Sequence, residues 1–336
     1  MTAGPRRRGS GKRPGEFELI DRYFRPLASD PGALDLTDDI AVYRQRPGDD
    51  LVLTADMLAA DVHFFADDPP ASIARKALRV NLSDLAAKGA EPFGYLLSLA
   101  LPAGWTEAWI RDFVSGLRGD QKRYGVSLLG GDTIKAAGGL TISITAIGRI
   151  PKGSLVTRGG AEAGDAVFVS GTIGDAALGL RLRTGSLKAG RGGSMKHLRD
   201  RYLHPQPRVD LAPVVRRHAN SAMDVSDGLV GDLGHICAVS GVGAEIEAAA
   251  VPLSAAARRL AQADESVLLT ILTGGDDYEI LATVPETAAR TFAREARSAG
   301  VPATRIGKIV PGAVPPVVLG ADGTPLHLAG TGHAHF

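Results

Sequence analysis

Apolar residues in the first half of the chain recur alternately at helical and strand spacings. Helical spacing extends over 15–27, and again over 70–88 after a Pro-Pro pair, so both segments predict helices. Short apolar runs rich in β-forming residues predict strands. The predicted elements are helices at 15–27, 70–88 and 106–124, and strands at 40–43, 51–54, 93–101, 126–129 and 140–147.

The pattern breaks at 151–164 into Pro, Gly and small residues, which predicts a domain junction. A second series of predicted strands follows, with helices between them, at 166–169, 222–225, 244–247, 278–284 and 305–309. Strands interleaved with helices in both halves predict two layered α/β domains. We expect a disordered basic tail at 1–14, an N-terminal domain at 15–150 and a C-terminal α/β domain at 151–336 that includes a flexible Gly-rich loop, 185–194.

The composition is that of a globular protein and limits its partners. The 336 residues suffice for two domains, and 44% hydrophobic with 22% charged residues is typical of soluble proteins. A net charge of +1 and an aromatic content of 5% give little support to binding of nucleic acid or of membranes. No stretch reaches the roughly 20 apolar residues that span a bilayer, and the basic N-terminus lacks the apolar segment of a secretory signal. We therefore expect a cytoplasmic protein.

The single cysteine, Cys237, excludes an intrachain disulfide and a Cys-based zinc site. It lies in an apolar stretch that predicts a buried helix, so we interpret it as a packing residue.

Aspartates in Gly- or Ser-flanked turns recur along almost the whole chain, most of them after a short β-rich run. They are Asp38, Asp39, Asp56, Asp84, Asp132, Asp224, Asp227, Asp276 and Asp277. Clustered carboxylates are costly to bury without a counter-charge. Hard divalent cations such as Mg²⁺ prefer oxygen ligands and usually accompany phosphates. The pattern therefore indicates a magnesium-dependent enzyme that handles nucleotide phosphates.

The usual phosphate-binding motifs are absent from the sequence. It contains no Gly-x4-Gly-Lys-Ser/Thr loop, no Gly-x-Gly-x-x-Gly turn opening a helix, and no His-Arg-Asp or Asp-Phe-Gly pair of protein kinases. Phosphates would then be held by metal ions, by glycine N–H groups and by an occasional arginine. Gly130-Gly131-Asp132-Thr133, after a predicted strand, fits this description, although a plain turn with a hydrogen-bonding aspartate explains it equally well.

Asp84 is the most informative single acid. At helical spacing it lies close to Ala77, Asn81 and Lys88, beside the apolar stripe of its helix. A carboxylate and an amide on a core-facing stripe need partners, which indicates a site. The alternative is an i,i+4 pair between Asp84 and Lys88 at the edge of a solvated face.

Four further residues carry both a functional and a structural interpretation. Ser226 and Asp227 precede a predicted helix, where either could be a simple N-cap. Arg158, in a Gly-flanked loop, suits a phosphate contact or is a solvated arginine. His63 contacts an anionic substrate or is structural.

Taken in order, these segments closely resemble the thiamine-monophosphate kinases, from Gly15 nearly to the C-terminus. The matching stretches are 15–20, 38–41, 54–58, 62–64, 76–87, 130–133, 155–159, 171–174, 226–229 and 274–279. The resemblance implies the fold of the aminoimidazole ribonucleotide synthetase-like superfamily, and a homodimer in which the N-terminal domains join their sheets into a barrel. It implies ATP and several Mg²⁺ ions between the domains, and transfer of the ATP γ-phosphoryl group to thiamine monophosphate.

The resemblance also implies roles for individual residues. The implied metal ligands are Asp39, Thr54, Ala55, Asp56, Asp84, Asp132, Asp224 and Asp227. The implied ATP contacts are Gly131, Arg158 and Ser226, and the implied substrate contacts are His63 and Asp276.

Three positions depart from the family pattern. Thr37 stands where the family usually has Gly, Asp276 replaces the usual Glu, and 327–336 contains no Trp. Two alternatives remain: another ATP-dependent synthetase of the superfamily, or a non-catalytic nucleotide-binding dimer. The first alternative lacks support, because the chain has neither a C-terminal nor an N-terminal reactive cysteine.

Overall fold

The computed structural model describes residues 13–187 and 194–328. Most of the predicted basic tail and of the predicted loop 185–194 lies outside the described residues. The helices are α1 Glu16–Leu19, α2 Pro70–Ala87, α3 Glu107–Tyr124, α4 Asp175–Arg183, α5 Ser194–Leu203, α6 Ala212–His218, α7 Leu229–Ser240, α8 Ala255–Ala263, α9 Ser266–Thr273 and α10 Ala289–Ser298. The strands are β1 Asp49–Ala59, β2 Glu91–Leu101, β3 Ser127–Lys135, β4 Thr141–Pro151, β5 Ala166–Ser170, β6 Ser221–Asp224, β7 Gly243–Glu247, β8 Ile280–Val284, β9 Ala303–Val310 and β10 Val317–Leu319.

The first sheet has the strand order β1-β4-β2-β3, antiparallel except for the parallel pair β2 and β3. Helices α2 and α3 cover one face, and Leu78, Phe113 and Ile142 are buried between helices and sheet. The opposite face is exposed within this chain and carries apolar side chains, namely Leu51, Leu53, Met57, Leu96 and Ile134. Alternation along each strand explains this division, because successive side chains point to opposite faces.

The second sheet has the strand order β10-β7-β9-β5-β8-β6. All its pairs are antiparallel except β10 with β7. Helices cover both of its faces. One core includes Val167, Leu281 and residues of α4, α7 and α9, while the other includes Phe168, Phe292 and residues of α6.

Helix α2 belongs to both halves of the molecule. Its middle packs in the core of the first sheet, whereas Ala86 and Ala87 at its end pack with α6 and α10. Lys88, just beyond it, donates from Nζ to the carbonyl of Ala222 in β6 at 2.5 Å. Polar side chains on α2 can therefore face a space bounded by both sheets.

Most predicted elements are present, but some predictions were wrong. The segment 40–43 is not a strand: Ile40 is 61% exposed and pairs with no sheet. Gly130-Gly131-Asp132-Thr133 is not a turn, because β3 continues through it alongside β2. A Cβ at Gly131 would lie 1.8 Å from the carbonyl oxygen of Leu97, so this close approach requires glycine. The short strand β10 was not predicted.

Among the described residues, no helix is long and apolar enough to cross a membrane.

Candidate functional site

A cavity of about 640 Å³ opens between the two sheets. Both halves of the chain line it, with Asp56, Met57, Leu58, Val62, His63, Lys76, Val80 and Asp84 from the first, and Arg158, Ala177, Leu180, Arg181, Asp224, Ser226, Asp227, Thr270, Thr273, Gly274, Gly275, Asp276 and Tyr278 from the second. The size suits a small-molecule site.

Acidic residues from three elements meet at one end of this cavity. The Thr54 hydroxyl donates to Asp84 at 2.5 Å, and the Asp56 N–H donates to the Asn81 side chain at 2.9 Å. These contacts arise because Thr54 and Asp56 fall on the α2 side of β1, while Ala55 between them is exposed on the other face. Asp224 ends β6 and is buried, at 5% exposure.

The charges at this end repel one another. Burial and, to a lesser extent, the nearby charge of Asp84 raise the pKa of Asp56 to about 6. Burial likewise raises the pKa of Asp224, again with a contribution from Asp84. Both shifts mean that the ionised carboxylates lack sufficient counter-charge. An all-oxygen set of carboxylates and a hydroxyl matches what Mg²⁺ prefers, so these residues fit such an ion.

The predicted alternative at Asp84 is not found, because the Lys88 ammonium is directed to the carbonyl of Ala222. Asn81 on the same helix is fully buried and satisfied on both sides, since its amide nitrogen donates to the carbonyl of Ala77 at 3.0 Å. The polar stripe of α2 therefore faces the cavity and β1.

The loop 225–228 is held by a residue that sequence reasoning missed. One oxygen of Asp232, Oδ2, accepts the N–H groups of Ser226, Asp227 and Gly228 at 3.0, 3.1 and 3.1 Å. The N-cap alternative was wrong, because Gly228 occupies that position and no side chain caps α7. Ser226 and Asp227 line the cavity instead. An aspartate four residues after the Asp-Gly pair was the available signal.

The segment 274–279 joins the loop 225–228 to helix α2. The Asp276 N–H donates to the carbonyl of Ser226 at 2.8 Å, and its backbone has a φ of 72°. Its side chain forms an ion pair of 2.7 Å with Lys76 of α2. Asp277 turns the other way and accepts the N–H groups of Gly174 and Ala176 at the start of α4.

Lys76 is the second residue that sequence reasoning missed. Its side chain is 3% exposed and also donates to the carbonyl of His63 at 3.0 Å. It lies two helical turns before Asp84, with Val80 between them, and all three line the cavity. This i, i+4, i+8 spacing was visible in the sequence.

His63 and Arg158 line the cavity. The backbone N–H of Ala59 donates to Nδ1 of His63 at 3.1 Å, which anchors the ring. Both residues therefore lie where the resemblance implies a ligand.

Gly131, Asp132 and Asp39 are not brought to the cavity of the same chain. Asp132 pairs with Ser98 on the face of the first sheet away from α2, where both are exposed. Asp39 is exposed in an irregular segment. Thr37 nearby donates its hydroxyl to the carbonyl of Leu34 at 2.8 Å, after three residues of positive φ.

Family models match both halves of the chain. The AIR synthase related protein N-terminal domain matches 37–150, and the AIR synthase related protein C-terminal domain matches 162–319. Among curated proteins, the thiamine-monophosphate kinase of Caulobacter vibrioides is 44% identical over 320 residues, covering 94% of this chain and 90% of that protein. The thiamine-monophosphate kinase of Escherichia coli K12 is 39% identical over 324 residues, covering 96% and 98%.

Solved structures show the same relationship. The thiamine-monophosphate kinase of Stenotrophomonas maltophilia K279a matches with a TM-score of 0.82 and 41% identity, covering 93% of this chain and 98% of that one. AaThiL in complex with AMPPCP and TMP matches with a TM-score of 0.76 and 32% identity, covering 98% and 100%. The hydrogenase maturation protein HypE, at 21% identity and a TM-score of 0.77, shares the fold. The chain therefore belongs to the thiamine-monophosphate kinase family of AIR synthase-related enzymes.

Proposed function

We propose that this protein transfers the γ-phosphoryl group of ATP to thiamine monophosphate and releases thiamine diphosphate and ADP. Its family membership supports this reaction, as does the binding of AMPPCP and TMP by the related AaThiL. The observation that carries the proposal is the convergence of Asp56, Asp84, Asp224 and Asp227 on one cavity.

The chemistry places modest demands on the side chains. The acceptor is a phosphate oxygen that is largely ionised near neutral pH, so a general base is hardly needed. The main obstacle is repulsion between two polyanions, which positioning and counter-charge overcome. Several Mg²⁺ ions, when bound, would neutralise and align the two phosphate groups for in-line transfer.

Different residues of the site would bind the metal ions, ATP and the acceptor. Asp56, Asp84, Asp224 and Asp227 would hold the metal ions, with Thr54 adding its hydroxyl and Ala55 its backbone carbonyl. Arg158 and Ser226 would contact ATP, and His63 and Asp276 would contact the acceptor. Lys76, which binds both acceptor residues, and Asp84 are eight residues apart on α2, about 12 Å along the axis. In this arrangement the acceptor phosphate would lie between Lys76 and the metal ions proposed near Asp84.

The proposal includes a homodimer formed through the exposed face of the first sheet. Leu53 and Met57 on this face are 61% and 64% exposed, and a contiguous apolar patch of this kind is typical of a protein interface. In the proposed dimer the first sheets of the two copies join into a barrel, and this face is covered by the second copy. Asp132 lies on the same face, so its proposed role with metal depends on this assembly. Gly131 and Asp39 also lie outside the cavity lining of the single chain, so their proposed roles with ATP and metal require the second copy as well.

A direct test is incubation of the purified protein with ATP, Mg²⁺ and thiamine monophosphate, followed by chromatography for thiamine diphosphate. We expect one ADP for each thiamine diphosphate, and loss of product when EDTA is added. Reactions without the acceptor measure any plain ATPase activity. Nucleotide binding without product would overturn the proposed transfer, and absence of nucleotide binding would indicate the non-catalytic alternative.

A further inference from the structure

The side chain of Lys76 carries an ammonium group that is buried at the boundary between the two halves of the molecule. Its ammonium contacts the carboxylate of Asp276 at 2.7 Å, the carbonyl of His63 at 3.0 Å and the ring of Tyr202, whose centroid lies 4.1 Å from Nζ. A buried charge of this kind is costly unless it is paired, so the interaction with Asp276 is what holds it there.

The position of this pair relates it to both proposed reactants. Asp276 and His63 are the two residues proposed to contact the acceptor, and Lys76 binds both directly. The Asp276 backbone N–H is bonded to Ser226, which lies at the proposed ATP end. Lys76 is therefore a cation that contacts both acceptor residues and lines the same cavity as the proposed metal ligands.

The charges of the pair complement those of the acceptor. Thiamine monophosphate carries a quaternary thiazolium nitrogen and a phosphate monoester, hence one positive group and one negative group. The Lys76–Asp276 pair presents the opposite sign to each. Exchanging one internal ion pair for two pairs with the ligand leaves no charge unmatched in a partly buried site. The Lys76 side chain has a flexible four-carbon stem, so its ammonium can move over several ångströms.

We propose that Lys76 and Asp276 form an ion pair that separates when the acceptor binds, Asp276 turning to the cationic ring and Lys76 to the acceptor phosphate. Lys76 is then a substrate-binding residue that selects phosphorylated over unphosphorylated thiamine. The inference rests on the proposed function, because it concerns the acceptor of that reaction.

The test is calorimetric titration, in the absence of ATP, with thiamine monophosphate and with thiamine. For Lys76→Met we expect affinity for thiamine monophosphate to fall about ten-fold or more, as a charge-assisted hydrogen bond is lost. Affinity for thiamine should be equal or higher, because Asp276 no longer has to leave Lys76 to meet the cationic ring. Lys76→Arg should retain the preference for the phosphorylated ligand. Asp276→Asn should lower the affinity for both ligands, and Asn is tolerated at the positive φ of this position.

Arg75→Met is the matched control, since it removes a neighbouring cation of α2 that lies toward Gly119 of α3 and outside the cavity lining. It should leave both affinities unchanged. The inference would be overturned if Lys76→Met lost affinity equally for both ligands, or lost none. A residue that only holds the two domains together would not distinguish thiamine monophosphate from thiamine. Lys76→Gln provides the same comparison if the Met variant does not fold.

The assay for thiamine diphosphate separates the two proposals. If the wild-type protein makes thiamine diphosphate but Lys76→Met keeps the wild-type ligand preference, only the proposed role of Lys76 is excluded. A wild-type protein that makes no thiamine diphosphate removes the proposed function and the inference with it.

Discussion

Asp84 projects from α2 into the cavity and accepts a hydrogen bond from the Thr54 hydroxyl. Its charge contributes to the raised pKa values of both Asp56 and Asp224. A single carboxylate thus affects acids from two other elements, which a residue on a solvated face would not do. This arrangement makes Asp84 the best position for a substitution that tests the proposed metal site.

We predict that Asp84→Asn lowers kcat about a hundred-fold or more, because the amide removes one negative ligand while preserving shape and the Thr54 contact. The measurement is the rate of thiamine diphosphate formation over a range of Mg²⁺ concentrations, with thermal unfolding as the check on folding. Asp112→Asn, at an exposed position on α3, is the control and should be silent. Near-normal activity in the Asp84 variant would remove this residue from the metal site.

Cys237 lies in α7 at 2% exposure, as the sequence predicted for a packing residue. Burial raises the pKa of its thiol to about 11. Since the pKa in the folded protein is above the unfolded value, the associated stability is present below about pH 9 and is lost as the pH rises through about 11. We predict that a thiol reagent at pH 8 modifies the native protein at least about a hundred-fold more slowly than the unfolded chain. Rapid native labelling, followed spectroscopically, would show that the helix opens readily.

At the scale of elements, α2 and α3 are joined by a buried ion pair. Arg79 donates to both oxygens of Asp120 at 2.7 and 2.8 Å, and it also donates to the carbonyl of Pro205 from the second half of the chain. The side chains of Arg79 and Asp120 are 6% and 2% exposed, so water cannot replace either partner of the pair. The pair fixes the angle at which α2 presents its polar stripe to the cavity.

We predict that Asp120→Ala lowers the free energy of unfolding by about 3–5 kcal/mol, because it leaves the Arg79 charge buried and unpaired. The control is Asp21→Ala, which removes an exposed i,i+4 pair with Arg25 and should leave the free energy of unfolding nearly unchanged. Both are measured by urea unfolding, monitored separately by fluorescence and circular dichroism. Equal midpoints for the two variants would contradict a structural role for the buried pair.

At the scale of the whole molecule, the first sheet has one covered face and one apolar face that is exposed in the single chain. Asp56 and Asp84 of the cavity lining lie on the covered side, whereas Asp132 lies on the exposed side. In the proposed dimer, assembly and binding of the metal nucleotide are coupled, because Asp132, with its proposed metal role, lies at the interface.

We predict that Leu53→Asp converts the protein to a monomer by placing a charge in the apolar interface, and that it weakens ATP binding. Sedimentation velocity measures the first effect, and nucleotide titration the second. Phe17→Asp, which changes an 84% exposed apolar residue on α1 outside that face, should remain a dimer. A wild-type protein that sediments as a monomer would remove the proposed interface, and Asp132→Asn with full activity would remove that residue from the site.

Local pattern alone was enough for most elements. The helices at 70–88 and 106–124 were predicted closely, because a helix with one apolar face repeats at a spacing that no partner needs to supply. The strand predicted at 40–43 is absent, because a short apolar run becomes a strand only where a neighbouring strand is available to pair with it. The continuation of β3 through Gly130–Thr133 depended on pairing with β2, which lies outside the local sequence.

The sequence by itself determined the inventory of acids, the oxygen-rich chemistry they suit and the family resemblance, since these reside in residue identity and spacing. Only the tertiary structure decided which acids meet. It joined Asp56, Asp84, Asp224 and Asp227 at one cavity and placed Asp132 on the opposite face of its sheet. It also paired Lys76 with Asp276, 200 residues away, because contacts between distant segments follow from packing and strand register.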